Sequence, residues 1–228
     1  MTEVLILAGG FGKRLGELTK KIPKPMIVIN GKPFLEILID NLTKKKINRI
    51  ILSVGYKHQL IQNYFGNSFN NIEIDYSIEK KPLGTGGAIV NSFKKIKSEN
   101  FLVLNGDTFI EFNLEKFIAN FYLHNKPIIY STLVESSSRY GSLSISDGKL
   151  LGFNEKNNAG TGYINAGIYF FRKADFDGVF EKIFSIEDWI ANNIKLLNMN
   201  VITSSNPFID IGVPEDLIKA SNFFRLHR

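Results

Sequence analysis

The sequence predicts an α/β chain: a mixed, mostly parallel sheet of Rossmann-like character, flanked by helices and carrying a small inserted β lobe. Three observations carry that expectation. Short apolar strand runs alternate with amphipathic helical stretches from the first residues onward. A glycine-rich turn follows the first strand. Past Tyr140 the alternation gives way to short, closely spaced strands around an Asp-Gly turn.

Taken in order, Val4 to Leu7 is an apolar strand and Phe34 to Lys45 a helix. Ile50 to Val54 is the next strand, His58 to Phe65 a helix, and Ile72 to Ser77 a strand. A helix begins at about Gly86. Strand Phe101 to Leu104, helix Leu114 to His124 and strand Pro127 to Val134 complete a run of βαβ units, whose ligand sites lie at strand C-terminal ends. Strands Ser142 to Ile145 and Leu150 to Phe153 flank Asp147-Gly148, and strand Tyr163 to Phe171 follows. A helix over Ile186 to Leu197 leads to strand Val201 to Thr203, the segment Phe208 to Gly212, and a closing helix from Pro214, a residue suited to a first helical turn. The expected division is one domain over 1–228. Within it, about 1–135 and 200–228 form a core, and about 136–199 a lobe.

Composition removes several chemistries. With 228 residues the chain can bury a core without cross-links, and with no cysteine it has no disulfide framework, zinc–thiolate site or thiol nucleophile. No secretory signal pattern opens the chain, and its apolar runs fall short of the roughly 20 residues of a membrane helix, so a cytoplasmic location without membrane contact is expected. The formal charge of +6 fits small anionic substrates. The lysine runs at Lys44 to Lys46 and Lys94 to Lys97 fall at helix ends, where cations complement the helix dipole, so nucleic acid is not the expected partner. His58, His124 and His227 are scattered without ligand spacing, and Trp189 reads as a packing residue.

The strongest local signal is Leu7-Ala8-Gly9-Gly10-Phe11-Gly12-Lys13-Arg14-Leu15. Glycines let backbone N–H groups approach an anion while Lys13 and Arg14 bring positive charge, so the turn reads as a phosphate cradle. A dinucleotide fingerprint begun at Gly10 meets Leu15 where glycine is needed, and a P-loop ending Gly12-Lys13 needs Ser or Thr where Arg14 stands. In Pro23-Lys24-Pro25, two prolines fix the backbone on either side of one lysine. Asp107 and Asp210 are each a carboxylate leaving an apolar strand.

Together these strings resemble the signature of the sugar-1-phosphate nucleotidyltransferases. LAGGFGKRL and LTKKIPKP are followed in order by KPLGTGGAI, VLNGDTF, RYGSL, FNEK, INAGIYFF and FIDIGVPEDL, so the likeness runs over nearly the whole chain. It implies that a sugar 1-phosphate oxygen attacks the α-phosphorus of a nucleoside triphosphate, giving a nucleotide sugar and pyrophosphate. Such a nucleophile has a second pKa near 6, so no catalytic histidine is required. In-line placement and cancellation of anionic charge are required, which calls for a hard divalent cation and fixed Lys or Arg groups.

The resemblance implies Mg2+ held by Asp107 and Asp210, an arrangement two carboxylates can supply because Mg2+ keeps waters and phosphate oxygens. It implies Arg14 on the β- and γ-phosphates, assisted by Lys13 and the loop amides, and Lys24 at the α-phosphate. The nucleotide contacts would be Leu7, Ala8, Gly9, Gly10, Phe11, Gly12, Lys13, Arg14, Glu79, Gly84, Thr85 and Asp107. A carboxylate at Glu79 would accept from the N–H groups of a guanine edge. The sugar phosphate would meet Asn105, Gly141, Glu155, Lys156 and Asn165, although Asn157 stands where the family has a proline. Asn105 before Gly106-Asp107, the pair Gly86-Gly87 and the end soon after PEDL point to a short branch without a C-terminal β-helix. Within it, the strings, SIEDWI included, most resemble members taking GTP and a heptose 1-phosphate for cell-surface glycan. Uridylyl-transferring members and mannose 1-phosphate guanylyltransferases are the neighbouring readings, and a catalytically silent nucleotide-sugar regulator is a reading of another class. The resemblance implies that about 1–135 and 200–228 form the nucleotide and metal core and about 136–199 the sugar-phosphate lobe, and a homodimer is one option for assembly.

Overall fold

The computed structural model describes residues 2–45, 47–154 and 160–226. In chain order they form β1 (Glu3–Leu7), α1 (Glu17–Lys21), β2 (Val28–Ile29), β3 (Lys32–Pro33), α2 (Phe34–Thr43), β4 (Arg49–Val54), α3 (His58–Phe65) and β5 (Ser68–Phe69). Next come β6 (Ile72–Ile78), α4 (Gly84–Asn91), β7 (Asn100–Asn105), β8 (Thr108–Ile110), α5 (Leu114–His124) and β9 (Ile128–Val134). The remainder comprises β10 (Leu143–Ser146), β11 (Lys149–Phe153), β12 (Gly162–Arg172), α6 (Ile186–Asn192), α7 (Ile194–Leu197), β13 (Asn200–Ser204), β14 (Phe208–Asp210) and α8 (Pro214–Leu226).

Among the described residues ten strands make one sheet, ordered β10-β11-β13-β9-β12-β7-β1-β4-β6-β5. β7, β1, β4 and β6 run parallel, so their C-terminal ends share one edge. β12 runs antiparallel to both its neighbours, β7 and β9, and interrupts the parallel order. These strands are apolar at consecutive positions because both faces are covered. Val4, Ile6, Leu102 and Leu104 pack on one side with α2 and α5, while Leu5, Phe101 and Val103 pack on the other with Ile89, Ile186 and Ile190. The period of two splits each strand between two cores. Trp189 stacks on Phe176 with ring centroids 4.7 Å apart, a packing role as expected.

The Asp147-Gly148 hairpin forms as its sequence predicts, with both residues at positive φ, 49° and 69°. It extends the main sheet, joining through Lys149 opposite Asn200. β12 lies within the span expected for the sugar lobe yet stands in the middle of the sheet. The single helix expected over Ile186 to Leu197 is two, α6 and α7. Asn193 between them leaves helical geometry at φ −113°, ψ 18°, and its side-chain amide donates back to Trp189 O at 2.9 Å. Among the described residues no helix is long and apolar enough to cross a membrane.

Candidate active site

The turn after β1 and the turn after β7 meet at the shared edge of the sheet. Gly106 N donates to Leu7 O at 2.9 Å. A Cβ on Gly106 would stand 2.6 Å from that same oxygen, so only glycine lets the two strand ends lie this close and delivers the next residue, Asp107, to the glycine-rich loop. Asp210 arrives by a different route. β14 pairs antiparallel with β8, setting Asp210 opposite Thr108, and Ile211 N donates to Asp107 O at 3.1 Å.

Lys24 stands in a single 3-10 turn, Lys24–Met26, set by the prolines on either side. It is buried, and its Nζ lies 2.7 Å from Asp107 Oδ2 and 3.9 Å from Asp210 Oδ1. Arg139 reaches in from the loop before β10, with Nη2 2.6 Å from Asp210 Oδ2 and 2.5 Å from Asp216 Oδ2. Three carboxylates therefore share two cations. Burial pushes the Asp210 carboxyl above its ordinary range and the neighbouring Asp107 charge adds to this, outweighing the pull of Lys24 and Arg139. A pair of hard oxygen donors with anionic charge left over suits a divalent cation. Among the described residues no group of three or more His, Asp or Glu could cage an ion, so a cation on this pair would complete its shell with water and phosphate oxygens.

Two cavities adjoin the pair. The smaller, about 280 Å³, is bordered by Leu7, Gly9, Gly10 and Phe11 of the loop, Lys24, Glu79, and Gly84 and Thr85 of α4. The larger, about 860 Å³, is bordered by Arg14, Gly141, Asn165 and Asp210, and by Ser185, Glu187 and Asp188. Asn105 and Asp107 line both. Glu79 is held against the loop. Its Oε1 accepts from Ser53 Oγ at 3.1 Å and its Oε2 from Leu83 N at 3.2 Å, and a Cβ on Gly9 would come within 2.6 Å of Oε1. Burial raises the Glu79 carboxyl above the usual range, against those two donors. On the other side, β12 carries a bulge between Asn165 and Ile168 that re-aims Asn165.

Of the residues singled out from sequence, Arg14, Lys24, Glu79, Gly84, Thr85, Asn105, Asp107, Gly141, Asn165 and Asp210 all border one of these cavities, as do Leu7, Gly9, Gly10 and Phe11. Ala8, Gly12 and Lys13 border neither; Ala8 is buried and its N donates to Ser53 O at 2.8 Å. Glu155 and Lys156 lie outside the described residues. Sequence reasoning missed Arg139, Ser185, Glu187 and Asp188 as site residues. The first belongs to the string RYGSL and the others to SIEDWI, strings whose likeness to the family is legible while the contacts of these side chains are not.

Comparison with known proteins gives a consistent placement. The nucleotidyl transferase family pattern matches residues 3–225. The chain is 40% identical over 227 residues to a D-glycero-alpha-D-manno-heptose 1-phosphate guanylyltransferase from Aneurinibacillus thermoaerophilus, covering 96% of each chain. It is 43% identical over 216 residues to an enzyme described in the same words from Campylobacter jejuni subsp. jejuni serotype O:2, covering 94% of this chain and 96% of that one. The crystal structure of HddC from Yersinia pseudotuberculosis, 40% identical, superposes with a TM-score of 0.89 over 98% of this chain and 100% of that one. HddC has also been solved in complex with GMP-PN, with a TM-score of 0.87. With this pattern over nearly its whole length, and two strand-end carboxylates facing a lysine beside a glycine-rich loop, the chain belongs to the nucleotidyl transferase family.

Proposed function

We propose that this chain transfers a guanylyl group from GTP to D-glycero-α-D-manno-heptose 1-phosphate, releasing pyrophosphate and giving, in the cytoplasm, GDP-heptose for cell-surface glycan. The observation that carries the reading is the meeting of two cavities at Asn105 and Asp107, with Lys24 on the shared carboxylate. We assign the base and ribose to the smaller cavity and the sugar phosphate to the larger, with the triphosphate running between them toward Arg14. Identity of 40% and 43% to two heptose 1-phosphate guanylyltransferases supports the choice of substrates.

In this reading the base enters beside Gly9, where the Glu79 carboxylate accepts from the N–H groups of the guanine edge. Gly84 and Thr85 close the far wall, and the amides of the glycine-rich turn face the phosphates. Arg14 and Lys13 hold the β- and γ-phosphates. Lys24 neutralises charge at the α-phosphate, moving its hydrogen bond from Asp107 to a phosphate oxygen. Asp107 and Asp210 would hold Mg2+, which when bound cancels phosphate charge and orients the phosphate oxygens. Lys156 binds the sugar's phosphate and Glu155 its hydroxyls, with Gly141, Asn105 and Asn165 around the ring. The sugar-phosphate oxygen forms a bond to the α-phosphorus, the bond from that phosphorus to the bridging oxygen breaks, and pyrophosphate leaves with the electron pair. No protein base is needed, since the attacking monoester is already ionised near neutral pH.

The test is pyrophosphate release, with Mg2+ or with EDTA. The matrix sets GTP, UTP, CTP, dTTP and ATP against heptose, mannose, glucose and N-acetylated amino-sugar 1-phosphates. Turnover with GTP and the heptose phosphate alone, abolished by EDTA, is the expected result. Turnover with UTP moves the chain to the uridylyl-transferring members. A blank matrix with intact nucleotide binding makes it a regulator.

A further inference from the structure

Glu187, in the first turn of α6, borders the larger cavity but takes no part in the transfer just described. Three hydroxyls donate to it: Tyr169 Oη to Oε1 at 3.1 Å, Thr85 Oγ1 to Oε2 at 3.2 Å and Ser185 Oγ to Oε2 at 2.9 Å. Thr85 stands in the first turn of α4 and borders the nucleotide cavity. The segment before α6 is fastened there, because Phe184 N donates to Leu83 O at 3.0 Å, Gly86 N to Phe184 O at 3.0 Å, and Ile186 N to Thr85 Oγ1 at 2.8 Å. At the other end, Asn165 Nδ2 donates to Tyr169 Oη at 2.5 Å, and Asn165 Oδ1 accepts from Gly167 N at 2.9 Å.

The donors in this network converge on Glu187. A carboxylate can only accept, so the single Tyr169 proton points at Glu187 and the Tyr169 oxygen must accept from its other neighbour. The Asn165 amide therefore turns its NH2 end to Tyr169 and its oxygen to Gly167 N, and the residue borders the larger cavity. Tyr169 is fully buried, and burial first, then the Glu187 charge, hold its hydroxyl protonated. Reversing any link in such a buried chain sets two donors or two acceptors against each other.

Resting on the reading that Asn165 meets the sugar phosphate, we propose that Glu187 and Tyr169 are positioning residues. With the Gly167 N–H they hold the Asn165 amide in one orientation beside the sugar pocket, and they anchor that setting to the helix bordering the nucleotide cavity.

Glu187→Gln keeps the volume but sets an NH2 against hydroxyls that now donate, so Tyr169, Thr85 or Ser185 loses its acceptor. Tyr169→Phe removes the relay outright. Each variant is expected to raise the KM for the sugar 1-phosphate by about tenfold, the scale of one lost hydrogen bond, with the KM for nucleoside triphosphate held within about twofold. Circular dichroism of Glu187→Gln should stay native, and the double variant should raise the sugar-phosphate KM no further than either alone. Sugar-phosphate KM unchanged in both variants, or equal rises for both substrates, overturns the proposal. The kinetics are read on whichever pair the substrate matrix shows to be active, so a wrong choice of base or sugar overturns the proposed function and leaves this test standing. If the matrix is blank, the calorimetric Kd for the sugar 1-phosphates replaces KM: a rise of about tenfold supports the positioning role, and an unchanged Kd overturns it.

Discussion

In the proposed reaction, Lys24 is the residue at which the two halves of the chemistry meet. Its ammonium is the near neighbour of both carboxylates, so removing it leaves Asp107 and Asp210 without that counter-charge. Lys24→Met should lower kcat by about a hundredfold or more in steady-state assays, the loss typical of one preorganised charge-stabilising group. Asp107→Asn and Asp210→Asn each remove a charged oxygen, and Mg2+-dependent turnover should fall by a similar factor while circular dichroism stays native. Retained turnover in both Asp variants would refute the metal assignment. Glu79 gives a prediction with a sign. Its carboxyl titrates above the ordinary 4.5 because it is buried, and only the ionised form accepts from two N–H groups. The KM for GTP should therefore climb, as pH falls, at a higher pH than an ordinary glutamate would allow. Glu79→Gln should flatten that limb and cut the preference for GTP over other triphosphates by about tenfold or more. A folded-state pKa raised above the unfolded value means that ionised Glu79 costs stability at neutral pH. The same variant should then melt higher than the parent at pH 7.

At the scale of elements, the site is made by turns, and turns are where the sequence was most and least informative. The glycine-rich loop, the Pro-flanked Lys24 and the strand-end Asp107 were legible because each is local: a few adjacent residues carry both the backbone signal and the charged group. Gly106→Ala tests that locality. Its Cβ would meet the Leu7 carbonyl at 2.6 Å, so the turn carrying Asp107 must shift, and kcat should drop by about tenfold or more even though no ligand is removed. The roles of Glu187 and Arg139 were not legible, because each depends on partners far away in the chain. Glu187 matters through Thr85 and Tyr169, and Arg139 through Asp210 and Asp216. No period or spacing announces such meetings. The break between α6 and α7 was hidden for a related reason: the apolar pattern runs on through Asn193, whereas the break lies in that residue's backbone geometry and its side-chain bond back to Trp189 O.

Over the whole molecule, the sheet separates where the chain reacts from where it is held together. The groups assigned to the proposed reaction crowd the C-terminal ends of β1 and β7, and at the opposite ends Arg49 gathers Glu3, Glu73 and Asp75 from β1 and β6. Arg49 and Glu3 are both buried, and Glu3 also accepts from the backbone N–H groups of Lys97 and Ser98 at 2.7 and 2.5 Å. Glu73 is more than half exposed and adds little. Burial alone would raise the Glu3 carboxyl, but the Ser98 hydrogen bonds and Arg49 outweigh it and leave it below its ordinary 4.5. Asp75 is likewise lowered from 3.8, burial being overcome by Lys95, the Tyr76 amide and Arg49. A depressed folded-state pKa contributes stability that is present above the unfolded value and lost as pH falls through the folded one. Arg49→Met strands Glu3 as a buried charge and should cost about 3–5 kcal/mol at pH 7 by urea denaturation. The gap between variant and parent should narrow as pH falls below the ordinary 4.5 and on through the lowered folded-state value, because a protonated Glu3 no longer needs the guanidinium. Turnover per folded molecule should be unchanged, since the cluster lies at the far ends of the strands from Asp107. A gap that stayed constant with pH would mean that Arg49 stabilises the sheet by packing alone and that the ion cluster contributes nothing.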